Sequence, residues 1–211
     1  MTQAVLPLER ARASKWPPDY SRLDCTLHGT SHESWAVLSN DGRYRYLLAR
    51  MWENYFTVEP LDPDQASRPL MVWVMLNPST ADGTEDDPTI RKCIGFAKRR
   101  GCGGILVVNT LAFRATKPAD LPREHAVARG RHNGEFIRIA LTNPLLAIGV
   151  AAWGGPWPGW QRSLMQEGIA TAKISRNLFC FGTTKGGDPR HPLMLAYDTP
   201  LVSLADGRPF P

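Results

Sequence analysis

The chain has 211 residues, 43% of them hydrophobic, and 25 Lys and Arg against 20 Asp and Glu give it a formal net charge of +5. No apolar run approaches the roughly 20 residues of a membrane helix, the opening MTQAVLPLERARASKWPP lacks a charged-then-apolar leader, and Cys25, Cys93, Cys102 and Cys180 lack close paired spacing. Those features argue against a membrane span, a zinc site and a disulfide framework, and lead us to expect a cytoplasmic single domain over 1–211 with no cofactor, no obligate protein partner and a mild bias towards a polyanion.

In chain order, residues 1–20 carry proline and charge without a period and predict an irregular arm. Residues 35–38 and 44–48 flank Ser39-Asn40-Asp41-Gly42, and Asp-Gly between apolar runs predicts a tight hairpin at the margin of a sheet. Residues 59–69 are rich in Pro, Asp and Ser and predict a loop, so that 21–69 form a hairpin-and-loop region ahead of an α/β core over 70–204 and a tail over 205–211. Residues 71–76 and 104–108 are short buried-strand patterns, and each runs into an asparagine, Asn77 and Asn109. The helix between them is marked by Asp86 and Asp87 as caps, Pro88 at its first position, an apolar stripe of Ile90, Cys93, Ile94 and Ala97, basic Lys98, Arg99 and Arg100 in the last turn, and Gly101 as a stop.

A polar connection through Arg114, Lys117 and Arg123 leads to a helix over 133–141, whose apolar face is Phe136, Ile137, Ala140 and Leu141 and which Asn143-Pro144 ends. A third strand is expected over 145–151, ending at Ala152-Trp153-Gly154-Gly155, then a short helix over 160–169, a fourth strand over 178–181 and a glycine-rich basic loop over 182–192. Short apolar strands alternating with helices predict a three-layer α/β/α architecture around a central four-stranded, mainly parallel sheet. The loops after the four strands then converge on one edge, where such sheets place ligand sites.

At that edge Asn77 and Asn109 should lie side by side, and two carboxamides suggest recognition of a planar hydrogen-bonding group. Asn77 reads equally well as a turn starter whose amide satisfies local backbone groups. Ser79, Thr80, Arg114, Thr184, Lys185 and Arg190 can contact phosphates, although ordinary loop chemistry explains any one of them. Phe113 and Trp153 can stack on a base or simply fill the core. Glu85, Asp86 and Asp87 could bind a divalent metal beside a phosphate substrate, but helix capping accounts for at least one of them and no metal is expected. Neither Gly-x-x-x-x-Gly-Lys-Ser/Thr nor Gly-x-Gly-x-x-Gly occurs, so nucleotide hydrolysis and dinucleotide binding lack their usual signals.

The segments LNPSTAD, DPTIRKC, GGILVVNTLAFRAT, AAWGG and TKGGDPRHPL, spread over 72–204, resemble the family called domain of unknown function 1643. More remotely, an Asn-Pro turn after the first strand, an Asn ending an apolar strand and a His-Pro loop after the last are similar to the uracil-DNA glycosylase superfamily. That resemblance implies a uracil-DNA-glycosylase-like fold in which Asn77 places an attacking water, Asn109 reads the base edge, His191 hydrogen-bonds the departing pyrimidine oxygen and Leu193 fills the space left by a flipped base. Asn77 departs from the aspartate of the most active members, and Pro192-Leu193 departs from their usual Pro-Ser.

The expectation carried forward is a DNA glycosylase-like enzyme that hydrolyses the N-glycosidic bond of a flipped pyrimidine, ordinary or modified, with Asn77 and His191 catalytic and nucleic acid, DNA first, as partner. The alternatives are a non-catalytic nucleic-acid-binding module of the same fold, or an enzyme acting on free nucleosides or nucleotides.

Overall fold

The computed structural model describes residues 23–31, 34–52, 69–79, 81, 85–143, 146–173 and 178–210. The expected arm over 1–20, the expected loop as far as residue 68, Thr80 and Pro144 lie outside them. Eight strands, β1 (Cys25–Ser31), β2 (Ser34–Ser39), β3 (Arg45–Met51), β4 (Leu70–Met75), β5 (Gly104–Asn109), β6 (Leu146–Ala151), β7 (Leu178–Cys180) and β8 (Val202–Ser203), form one sheet in the order β1-β2-β3-β5-β4-β6-β7-β8. The helices are α1 (Pro88–Arg99), α2 (His125–Arg129), α3 (Asn133–Leu141) and α4 (Gly159–Ala172).

The fold is therefore mixed α/β, and its sheet is wider than the four strands read from the sequence. β4 pairs in parallel with β5 and β6, and β6 with β7, whereas β1, β2 and β3 form an antiparallel margin that joins β5 through β3, and β8 closes the other side antiparallel to β7. The expected hairpin is β2 and β3. β1 escaped the sequence reading because CTLHGTS has no apolar face, its Leu27 being 49% exposed; β8 is two residues inside what read as a patternless end.

β3, β4 and β5 are buried at every position, which requires cover on both faces. Alternate residues supply it: Val72, Val74, Leu106 and Val108 pack with Phe136, Ile137 and Ala140 of α3 and Leu164 and Met165 of α4. Met71, Trp73, Ile105 and Val107 pack with Ile90, Cys93, Phe96 and Ala97 of α1 and with Phe181. Each fully buried large apolar side chain contributes roughly 1.5–3 kcal/mol. α1 starts as its sequence dictates, with the Asp87 carboxylate accepting from the Ile90 N–H at 2.8 Å and Pro88 next to it.

Two buried arginines on β3 hold the segment leading into α1. Arg50 Nε lies 2.8 Å from Asp86 Oδ1 and its Nη2 donates to the Glu85 carbonyl at 3.2 Å, while Arg45 Nη1 donates to the Ala81 carbonyl. A buried guanidinium is tolerable only with such partners.

α4 meets the end of β5 through Gly168, where a Cβ would stand 2.4 Å from the Thr110 carbonyl oxygen. Alanine inside a helix ordinarily gains about 1 kcal/mol over glycine, but here a methyl meets backbone that cannot turn aside. Gly168→Ala is expected to destabilise the protein by a net of about 1–2 kcal/mol, read as a lower urea midpoint with an unchanged slope.

Candidate functional site

Hydrogen bonds tie the loops at the carboxyl ends of β4 to β7 into two pairs. The first pair is joined at Ala115, whose N–H donates to the Pro78 carbonyl at 3.0 Å and whose carbonyl accepts from Asn77 Nδ2 at 2.7 Å. Asn77 Nδ2 also donates to the Pro78 carbonyl at 3.0 Å. The amide nitrogen of Asn77 thus has the local tying role that a turn asparagine allows, and its Oδ1 is the group it can offer to a water or ligand.

The second pair joins the loops after β6 and β7. The Gly154 N–H donates to the Pro189 carbonyl at 2.9 Å, and Arg162 Nη2 lies 2.6 Å from Oδ2 of the buried Asp188. The Asp188 carboxylate rests directly on Gly155, where a Cβ would be 2.3 Å from Oδ2, so no larger residue fits there. A Cβ at Gly154 would be 3.3 Å from the His191 Cβ, which sets His191 against the loop after β6. α1 packs on the 3-10 turn Pro192–Met194 that follows.

His191 keeps solvent contact, but protein around its ring lowers its pKa from the ordinary 6.5 by desolvation, with the Asp87 carboxylate opposing. Its Nδ1 accepts from the Leu193 N–H at 3.4 Å, which places the proton of the neutral ring on Nε2. At neutral pH His191 is therefore an uncharged donor through Nε2.

Asn109 ends β5, opposite Met75 of β4. It shares parity with Ile105 and Val107, so its side chain stands on the α1 face of the sheet. The residue is 1% exposed, and neither Nδ2 nor Oδ1 finds a hydrogen-bond partner among the described residues. Burying such groups unpartnered costs about 1–3 kcal/mol each. The backbone beneath it is held from several sides: Thr110 N–H donates to the Met75 carbonyl at 2.8 Å, Leu111 N–H to that of Leu76 at 2.9 Å, and Asn133 Nδ2 to those of Asn109 and Thr110 at 2.9 and 3.0 Å. An unsatisfied donor–acceptor pair on a fixed support is how a planar hydrogen-bonding edge is received.

Other expected residues lie elsewhere. Trp153 is buried in the α3/α4 core, and Phe113 packs against that core with its ring edge-on to Tyr44 at 5.8 Å. Both pack with the core cluster on the face opposite Asn109, the second of the two roles the sequence allowed them. Arg114 turns to the β2–β3 connection, its Nη1 donating to the Gly42 carbonyl at 3.2 Å. The Thr184 hydroxyl accepts from the Asp188 N–H at 3.3 Å, while Lys185 and Arg190 are exposed on that turn and Ser79 is half-buried beside Pro78. Of the acidic trio, Asp86 pairs with Arg50 and Asp87 caps α1.

Asn133 and Asp188 were not singled out as site residues by the sequence reading, although Asp188 lies within TKGGDPRHPL and Asn133 opens the expected helix. Met194 left a signal: two apolar residues after His191-Pro192 in a basic loop, of which Met194 is 89% exposed and Leu193 39%.

The family model described as "Protein of unknown function (DUF1643)" matches residues 45–193. No curated protein and no solved structure matches the chain.

Asn133→Ala removes a donor from each of two buried carbonyls and is expected to cost about 2–4 kcal/mol in chemical unfolding. For His191 the unfolded chain takes up a proton at the ordinary 6.5 and the folded chain only below it. In that window the unfolded state binds more protons, so stability rises with pH and is lost as pH falls. The expected outcome is an imidazole NMR titration below 6.5 for His191, and a shallower acid limb of stability in His191→Gln.

Proposed function

The chain belongs to the DUF1643 family, and from there we propose that it is a DNA glycosylase-like enzyme of uracil-DNA-glycosylase-like, three-layer fold, which hydrolyses the N-glycosidic bond of a pyrimidine flipped out of DNA. The parallel run β5-β4-β6-β7 in the middle of the sheet supports the fold assignment. The observation that carries the functional reading is the buried carboxamide of Asn109, on its fixed strand end, without a hydrogen-bond partner among the described residues.

In this reading Asn109 receives the base edge, donating through Nδ2 and accepting through Oδ1. The bond from C1′ to the base nitrogen breaks with its electron pair going to the base, and His191 Nε2–H donates to the base oxygen on which that charge collects. Asn77 Oδ1 holds the water that adds to the cationic sugar carbon and then releases a proton to solvent. An amide cannot act as a strong base, so stabilising the departing base provides most of the acceleration. Leu193 and Met194, exposed beside His191, fill the stack that the base has left. Lys185 and Arg190 contact flanking phosphates.

A non-catalytic nucleic-acid-binding module is the second reading, favoured by one observation: Asn77 offers an amide rather than a carboxylate, and its nitrogen is already engaged by two carbonyls.

The test is Asn109→Leu. Replacing an unsatisfied buried amide by an apolar group of similar shape is neutral or stabilising, so thermal stability should hold or rise. Base release from oligonucleotides carrying uracil or modified pyrimidines, scored as alkali-induced strand cleavage, should fall by about 100-fold or more. A stability loss of about 2 kcal/mol with base release unchanged would make Asn109 a structural amide and remove the basis of the reading. Binding without release by the wild type would select the second reading.

A further inference from the structure

α1 carries a cationic surface to which the chemistry above assigns no role. From Pro88 to Arg100 it has Arg91, Lys92, Lys98, Arg99 and Arg100 and no acidic residue. Lys98 and Arg99 suit the negative end of the helix dipole, but the arrangement extends beyond that end. Tyr197 lies across α1 at Gly95, where a Cβ would meet its hydroxyl oxygen at 2.4 Å. Lys92 Nζ and Arg99 Cζ stand 3.9 and 3.8 Å from the centroid of its ring. Lys92, Lys98 and Arg99 form no ion pair with any carboxylate among the described residues.

This surface is continuous with the candidate site. α1 begins at Asp87, whose charge acts on His191, and packs on the turn that exposes Leu193 and Met194, after which the chain returns to place Tyr197 on the helix. Arg99 follows Lys92 by seven positions, about 10 Å along a helix, comparable with three base-pair steps of about 3.4 Å along a duplex axis.

We propose that the Lys92 and Arg99 face of α1, with Tyr197 fixing its geometry, is the track on which the phosphodiester backbone of DNA lies as it leads away from the site. The proposal rests on the reading that the site accepts a base within a polymer, and it makes that polymer the substrate in preference to a free nucleoside. The contacts are to phosphate and carry no sequence preference.

The experiment compares the salt dependence of binding to a fluorescent uracil-containing duplex for the wild type, the double variant Lys92→Gln/Arg99→Gln, and a charge-matched control, Arg138→Gln/Arg208→Gln, on other surfaces. Each phosphate contact adds about 0.9 to the log–log slope. Two lost contacts should flatten the double variant's slope by about 1.8, so that between about 50 and about 200 mM salt the wild type loses about 12-fold more affinity than the variant. The single variant Lys92→Gln should flatten the slope by about 0.9, and the control should keep the wild-type slope.

An unchanged slope in the double variant, an equal fall in the control, or no duplex binding by the wild type would each overturn the proposal. Base release is scored on the same samples. A flattened slope with no release by the wild type leaves the track standing and removes the glycosylase reading; release with an unchanged slope does the reverse.

Discussion

From inside the protein, the carboxamide of Asn133 donates to the carbonyl oxygens of Asn109 and Thr110, the backbone groups at which β5 leaves the sheet. A strand end is normally free to bend, because its last carbonyls have no ladder partner. Here one amide on the first residue of α3 satisfies two of them, β4 engages the N–H groups of Thr110 and Leu111, and α4 presses its Gly168 against Thr110. The Asn109 side chain stands on the opposite face from all this support. Its position is determined by groups that a ligand would not touch, so the amide can stay rigid without being satisfied.

The same separation of support and presentation recurs around the site. Asp188 and Arg162 brace the loops after β6 and β7 from beneath, and His191 emerges above them. Arg45 and Arg50 reach from the antiparallel margin of the sheet to Ala81, Glu85 and Asp86 and so fix where α1 begins. That margin is more than an edge to the α/β core. It supplies the buried cations that hold the entry to α1, whose Asp87 in turn opposes desolvation in setting the charge state of His191.

What could be read from the sequence depended on whether the determining interactions were local. α1 was legible because Asp87, Pro88 and the stripe of Ile90, Cys93 and Ala97 are all short-range signals. Asn109 was legible because an asparagine after Ile105-Leu106-Val107-Val108 contradicts strand propensity. β1 was not, since its pairing with β2 compensates for a segment with no apolar face. Trp153 shows the limit most clearly: a tryptophan after a buried strand is obvious, but the face it takes relative to Asn109 follows from the register linking β5, β4 and β6. Asn133 and Asp188 act across 23 to 26 positions of chain, a range over which a single sequence gives no signal.

The two hydrogen bonds from Asn77 Nδ2 bear on how the site could choose its ligand. A carboxylate there would set a negative charge against the carbonyls of Pro78 and Ala115, so a stronger base cannot be introduced without rebuilding both loops. Under the proposed reading, the water at this position stays a modest nucleophile, and the intrinsic acidity of the departing base decides which bonds break in useful time. Electron-poor bases leave and ordinary ones remain. Discrimination would then reside in the leaving group itself, with a deliberately weak nucleophile acting as the filter that spares undamaged DNA.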